Sequence, residues 1–319
     1  MKLTNAINEY VTFKQSIGMR FDNEASTLRS FCRAIGDINI KEIKPDLAQK
    51  FISGTAGKVT AYCYLKFKIL GGFYRFCISR GYAASSPLPS TAPKCPEPMK
   101  PYIYTADEVR RLLLVTESLE TPLSPLQATT FHTLLLTLYG TGLRISEALG
   151  LELADVNIDE GLILVHSSKF YKSRLVPTCP QLTDRLSSYA AKRLKLNCPA
   201  GEKSAFFATR TGNALSYHRV GKKFRALRAL AGIHRESTAS YQPRIHDLRA
   251  TFAVHRLTAW YQEGKDVQRL LPKLSTYLGH VDIAETKCYL EMTPDLLQEA
   301  SLRFEHYATG GASCLTINQ

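Results

Sequence analysis

Between residues 85 and 101 the chain reads SSPLPSTAPKCPEPMKP, with proline at 87, 89, 93, 96, 98 and 101. Each proline fixes φ and lacks a backbone donor, so neither a helix nor a central strand runs through such a stretch. It has no apolar period and reads as a linker. The 319 residues are long for one core and sufficient for two. The pattern predicts one domain over 1–87, a linker over 88–102, a second domain over 103–300 and a C-terminal tail over 301–319.

The first domain reads as helical. Ile7, Val11, Phe13 and Ile17 suggest one face of a first helix, and Leu28, Phe31, Cys32 and Ile35 one face of a second. Pro45 takes the favoured first-turn position of a third, PDLAQKFISG, with Gly54 as its stop. A fourth runs from about Val59 to Arg80. Its apolar and aromatic positions read as core, and the lysines and arginines between them as phosphate contacts.

Past the linker, Thr105 can cap a helix over TADEVRRLLLVT, with Asp107 and Glu108 in its first turn. A long apolar helix over about 125–140 is broken at Gly140 and Gly142. In GLILVHSSKFYKSRLVPT (161–178) two β-branched runs flank a polar turn, which is the pattern of a hairpin. Helices resume near 180–195, 216–231 and 246–262, and VQRLLPKLSTYLGH leads into LGHVDIAETKCYL (278–290). The expected fold is mainly α with one small antiparallel β-sheet.

Charge narrows the choice of partner. The net charge is +13, and residues 1–100 hold 15 Lys/Arg against 7 Asp/Glu. A basic chain gains affinity for polyanions by releasing their counterions, which points to nucleic acid. The eight cysteines form no CxxC pair and no regular framework, which suits the reducing cytoplasm. No Cys/His cluster has zinc-ligand spacing, so no metal is expected. The start MKLTNAINEY lacks an apolar signal region, and FHTLLLTLYGTGL is too short to span a bilayer, so no membrane partner is expected.

Four segments hold polar groups that the local pattern does not demand. Arg144 follows a glycine-containing break, and Lys169 sits on the hairpin turn. His246 and Arg249 lie three apart at a helix start and share a face; His280 and Tyr289 lie nine apart. Singly, each has an ordinary explanation as a surface charge, a turn lysine, a helix cap or a packing ring. Together they suit transesterification at a phosphodiester. Two arginines can clamp the non-bridging oxygens, and histidines can donate to those oxygens or move a proton. Tyrosine can attack phosphorus and keep the bond energy in a phosphotyrosine, and lysine can protonate the departing hydroxyl. Nearby cations are expected to favour the phenolate. With cationic side chains supplying the charge, no cofactor is needed.

TGLRISEALGL (141–151), HDLRATFAVHRL (246–257) and LGHVDIAETKCY (278–289) resemble the three signature boxes of the tyrosine recombinase, or phage integrase, family. KFYKSRLVP (169–177) resembles its β-hairpin lysine segment. The likeness is sharp over roughly 120–300, while over 1–87 only helix content and basic charge agree with the family's core-binding domain. The resemblance implies that Arg144 and Arg249 bind phosphate, with His246 and His280 as the pocket histidines. It implies that Tyr289 is the nucleophile forming a 3′-phosphotyrosine and Lys169 the general acid, with Lys172 as the competing lysine. Glu147 resembles the acidic residue that braces the pocket; an exposed helix glutamate is the alternative.

Two departures stand out. From Arg249 to His280 is 31 positions, longer than is common in the family and similar to some transposon-borne members. The extra residues, near WYQEGKDVQRLLPKL, are expected to extend a helix or loop away from the pocket. Ala250 stands where a histidine is frequent. Leu297, Ala300, Phe304 and Tyr307 form a stripe that either packs on its own domain or docks into a neighbouring protomer in a ring of four. The resemblance thus implies a bacterial, DNA-associated enzyme that integrates, excises or transposes a mobile element. It would act on double-stranded DNA as a homotetramer or with a second recombinase on paired sites. A catalytically silent DNA-binding accessory protein and a topoisomerase IB-like relaxing enzyme are the alternatives.

Overall fold

A computed structural model describes residues 1–54, 59–95, 99–119, 127–166, 173–195, 198–209, 211–236, 241–291, 297–298, 301–302 and 304. The chain divides into two compact units, Met1–Met99 and Lys100–Gln319.

The first unit is built from helices α1 (Leu3–Ser16), α2 (Asp22–Ile35), α3 (Pro45–Ser53) and α4 (Ala61–Ser79). Pro45 stands in the first turn of α3 and Gly54 closes it. Thr60 caps α4 by accepting from the Cys63 N–H. The core gathers Leu3, Ile7, Leu28, Phe31, Leu70 and Phe73. The face expected for α1 is corrected: Phe13 and Ile17 are 38% and 56% exposed. At about 100° per residue Phe13 stands about 200° from Val11, and Ile17 lies past Ser16, the last residue of the helix. The buried stripe is Leu3, Ala6, Ile7, Tyr10 and Val11. In α4, Phe73 and Tyr74 are core, but Tyr62 and Leu65 near its start face solvent.

The second unit begins with α5 (Ala106–Leu114), α6 (Gln127–Thr141) and α7 (Ile145–Leu149). Thr105 caps α5 in a reciprocal pair: Glu108 N–H donates to Thr105 Oγ1, and Thr105 N–H to Glu108 Oε2. Gly140 lies inside α6, and the break falls at Gly142. Strands β1 (Val156–Asn157), β2 (Leu162–Val165) and β3 (Arg174–Pro177) form an antiparallel sheet in that order, with Ile163 opposite Val176 and Val165 opposite Arg174. The hairpin is where the β-branched runs placed it; β1, at two residues, is too short to show a period. Then follow α8 (Pro180–Lys195), α9 (Tyr217–Leu230), α10 (Asp247–Gln262), α11 (Val267–Leu278), α12 (Ala284–Lys287) and a 3-10 turn over Cys288–Glu291.

One core surrounds α6 and takes in Leu134, Leu138, Tyr189, Phe206 and Phe224. The other lies between α10 and α11, through Ala253, Leu257, Leu271, Leu274 and Leu278, and includes Tyr289. Together they hold the start of α10, the end of α11 and the tyrosine turn against one another. The long interval between Arg249 and His280 forms the rest of α10, a turn and α11. The turn begins about 20 Å along the helix from Arg249, at 1.5 Å per residue. Among the described residues, no helix is long and apolar enough to cross a membrane.

Candidate active site

The site starts from a glycine. Gly142 ends α6 with φ at +63°, and a Cβ there would sit 2.5 Å from Phe252 Cδ1 and 2.8 Å from Leu278 Cδ2. Only glycine lets the chain pass this close to α10 and α11 in that conformation. Its carbonyl accepts Arg249 NH1 at 2.7 Å, and the Leu278 carbonyl accepts Arg249 NH2 at 2.8 Å. Arg249 is buried, so the loop after α6 and the end of α11 are both tied to α10 through one guanidinium.

Arg144 follows directly. Its NH1 donates to Glu147 Oε1 at 2.9 Å, its backbone N–H to Glu147 Oε2 at 2.9 Å, and its NH2 to the Gly279 carbonyl at 3.2 Å. Glu147 also receives Arg174 NH1 on Oε1 at 3.0 Å and NH2 on Oε2 at 2.8 Å. Its side chain is nearly buried, against the alternative of an exposed helix glutamate. Burial opposes its ionisation, but the bonds and charge of Arg174 and Arg144 outweigh that and hold its carboxyl at about 2.

His246 precedes α10 and makes no side-chain cap, so it is not there to start the helix. Burial first, then the charge of Arg249, pushes its imidazole below the usual histidine range. His280 follows α11, and its Nδ1 lies 2.7 Å from the hydroxyl of buried Thr286. Burial first, then Arg249, Arg144 and Arg174, brings it down to about 4. Both histidines are therefore neutral at pH 7. Arg249 is itself drawn down to about 10, first by burial and then by Arg144, with Tyr289 and Glu147 opposing.

Tyr289 lies in the 3-10 turn, 8% exposed, with its ring centroid 6.1 Å from that of His280. The charge of Arg249 acts on its phenol, and that of Arg144 more weakly. The expectation of a cation-favoured phenolate is corrected. Burial raises the phenol above its ordinary value, and the opposing pull of Arg249 and Arg144 is the smaller effect. The raised phenol keeps its proton at neutral pH.

The structure thus brings Arg144, Glu147, His246, Arg249, His280 and Tyr289 into one cluster. Lys169, Lys172 and the hairpin turn lie outside the described residues. Ala250 is buried in the core beneath α10. Of the C-terminal stripe, Leu297 and Phe304 are exposed, while Ala300 and Tyr307 are outside the described residues. Two residues at the pocket escaped the sequence reading. Thr286 gives no sequence signal. Arg174 does: on a strand that alternates in and out, it shares the inward face with Val176.

The arrangement offers two arginines, two imidazoles held below their usual range and a phenol, a set suited to an anionic ester. Comparison with known proteins gives the same answer independently. Residues 103–295 match the phage integrase family. The chain is 32% identical to y4rB of Sinorhizobium fredii, named as an integrase/recombinase, over 94% of this chain and 96% of that one. It is 31% identical to tyrosine recombinase XerD of Brucella suis, over 76% and 74%. In fold it resembles the Tn1549 transposon integrase solved with a circular intermediate DNA (TM-score 0.68, 16% identity, 95% and 99% covered). It also resembles a lambda integrase dimer bound to a core site (TM-score 0.65, 18% identity, 92% and 97% covered). The chain belongs to the phage integrase family and is a tyrosine-type site-specific recombinase.

Proposed function

We propose that the chain cuts and reseals double-stranded DNA through a covalent 3′-phosphotyrosine at Tyr289, in the integration, excision or transposition of a mobile element. The observation that carries this is the convergence on one cluster of buried Tyr289, its ring 6.1 Å from that of His280, and buried Arg249, whose charge with that of Arg144 acts on both the phenol and the His280 imidazole. Arg249, whose charge acts on the Tyr289 phenol, is thereby also placed to meet the phosphate that the phenol attacks.

In this reading Arg144 and Arg249 hold the non-bridging oxygens. Tyr289 Oη forms the bond to phosphorus and the bond to the 5′ oxygen breaks. Lys169 delivers a proton to that oxygen, as the family resemblance assigns it. His246 and His280, being neutral, can each donate an N–H to the phosphate or accept the phenol proton. Resealing is the same sequence reversed with a new 5′ hydroxyl, so the bond energy never leaves the protein–DNA adduct. The basic helical unit 1–99 supplies backbone contacts and unit 100–319 the chemistry.

The working assembly is a homotetramer, or a heteromer with a second recombinase, on paired sites. A lambda integrase tetramer has been solved on a Holliday junction, and the apolar tail residues Leu297 and Phe304 are exposed here for a neighbouring protomer. The setting is the bacterial cytoplasm, where such DNA resides. The deciding experiment uses nicked suicide duplexes tiled across the DNA that flanks the coding sequence. A denaturation-resistant adduct that forms with wild type and never with Tyr289→Phe is the expected result. Full adduct formation by Tyr289→Phe would reject the mechanism.

A further inference from the structure

Arg174 has no part in the chemistry above, yet it is tightly engaged around the pocket. It opens β3 with its side chain 11% exposed, while the next residue, Leu175, is 59% exposed. Its two terminal nitrogens grip both oxygens of Glu147, and its Nε donates to the Tyr277 carbonyl at 2.9 Å. Glu147 in turn holds Arg144 at both backbone and side chain, and Arg144 reaches the Gly279 carbonyl. A closed circuit therefore joins β3, α7 and the end of α11, with His280 next in the chain.

The backbone has been shaped around this guanidinium. Gly279 has φ at +71°, and a Cβ there would stand 2.7 Å from Arg174 NH1 and 2.9 Å from its Cζ. Glycine is what lets the arginine pass beneath the turn. Neutralising Glu147 does not require Arg174, because Arg144 already pairs with it three positions away. What a second, two-pronged arginine adds is direction: with both oxygens held, the carboxylate plane is fixed.

We infer that Arg174 is a positioning residue for phosphoryl transfer. It orients Glu147 and, through it, sets Arg144 at the angle from which it meets the non-bridging oxygens. The inference rests on the phosphotyrosine reading above.

The test compares two substrates on the nicked duplex that wild type cleaves: the ordinary phosphodiester, and one with a methylphosphonate at the scissile position. The methyl group removes one anionic oxygen, so less negative charge develops and less depends on a well-aimed arginine. Arg174→Gln and Arg174→Lys are each expected to slow adduct formation on the phosphodiester by about 10- to 100-fold, the scale of a small misplacement. Half-saturating DNA concentration should change less than about threefold, since positioning acts on the step and not on docking. On the methylphosphonate the gap to wild type should shrink to under about fivefold. Lysine keeps the charge but loses the fork, so it should not rescue. Equal slowing on both substrates, the mark of a general structural defect, would overturn the inference. So would Arg174→Lys behaving as wild type. Wild type that forms no adduct on any duplex would instead overturn the phosphotyrosine reading, and this inference with it.

Discussion

Glu147 accepts four hydrogen bonds from two arginines, and Glu147→Gln removes its charge while keeping its shape. The amide retains one acceptor oxygen. Its NH2 group then faces donors where Oε2 stood, and Arg144 and Arg174 are left side by side without a counter-charge. The magnitude follows from the carboxyl being held at about 2 instead of 4.5. That difference, at 1.36 kcal/mol per pKa unit, is worth about 3 kcal/mol. Breaking a buried pair by removing one partner costs a similar ~3–5 kcal/mol. For a domain of this size each kcal/mol moves Tm by about 2–4 °C, so Glu147→Gln should melt about 6–12 °C lower at pH 7. The sign with pH is also fixed. A carboxyl whose folded value is depressed stabilises fully above its unfolded value, and the contribution is lost as pH falls from about 4.5 toward 2. Urea melts of wild type and variant should therefore converge below pH 4.5 and stay parallel above it. A loss at pH 7 under about 1 kcal/mol, or a gap that ignores acid, would refute the reasoning.

Gly142→Ala would force a Cβ into Phe252 and Leu278 at positive φ and displace the carbonyl that holds Arg249. It should cost about 1–3 kcal/mol in a urea melt and slow adduct formation; a neutral effect on both would be contrary to the packing described. Since His280 titrates at about 4, wild-type cleavage should show no inflection near pH 6.5 and should rise with pH toward the raised Tyr289 value. An inflection at 6.5 that vanishes in His280→Gln would show that the imidazole is not held neutral. Thr286→Val removes the partner of His280 Nδ1 and should slow cleavage about tenfold or less with the melt nearly unchanged, as one neutral hydrogen bond would predict. The two hairpin lysines separate on a substrate whose 5′ bridging oxygen is sulfur, a leaving group that needs no proton. Lys169→Ala should recover there and Lys172→Ala should behave as wild type on both; the reverse pattern would reassign the general acid.

Much of the fold was legible because single elements advertise themselves: Pro45 and Gly54 bracket α3, and Thr105 with Glu108 marks the start of α5. The α1 face failed toward its end: Phe13 turns away from Val11, and Ile17 lies past the last residue of the helix, where no neighbour covers it. The candidate set was legible for a similar reason, since Arg144, His246–Arg249 and His280–Tyr289 each sit in a short box. What the boxes could not convey is how they are held. Arg249 hangs on the carbonyls of Gly142 and Leu278, Arg144 on that of Gly279, and Arg174 on that of Tyr277. Every residue carries a carbonyl, so such partners leave no mark in the sequence. The partners are also remote, with Arg174 meeting Tyr277 across 103 positions. The phenol of Tyr289 shows the same limit: sequence reveals the cations near it but not the apolar wall of α10 and α11, and the wall decides its protonation. A recombinase that must not cleave without its site gains from that balance. Under the proposed mechanism Tyr289 keeps its proton in this core, so the same burial that hides the group from sequence reasoning also restrains it.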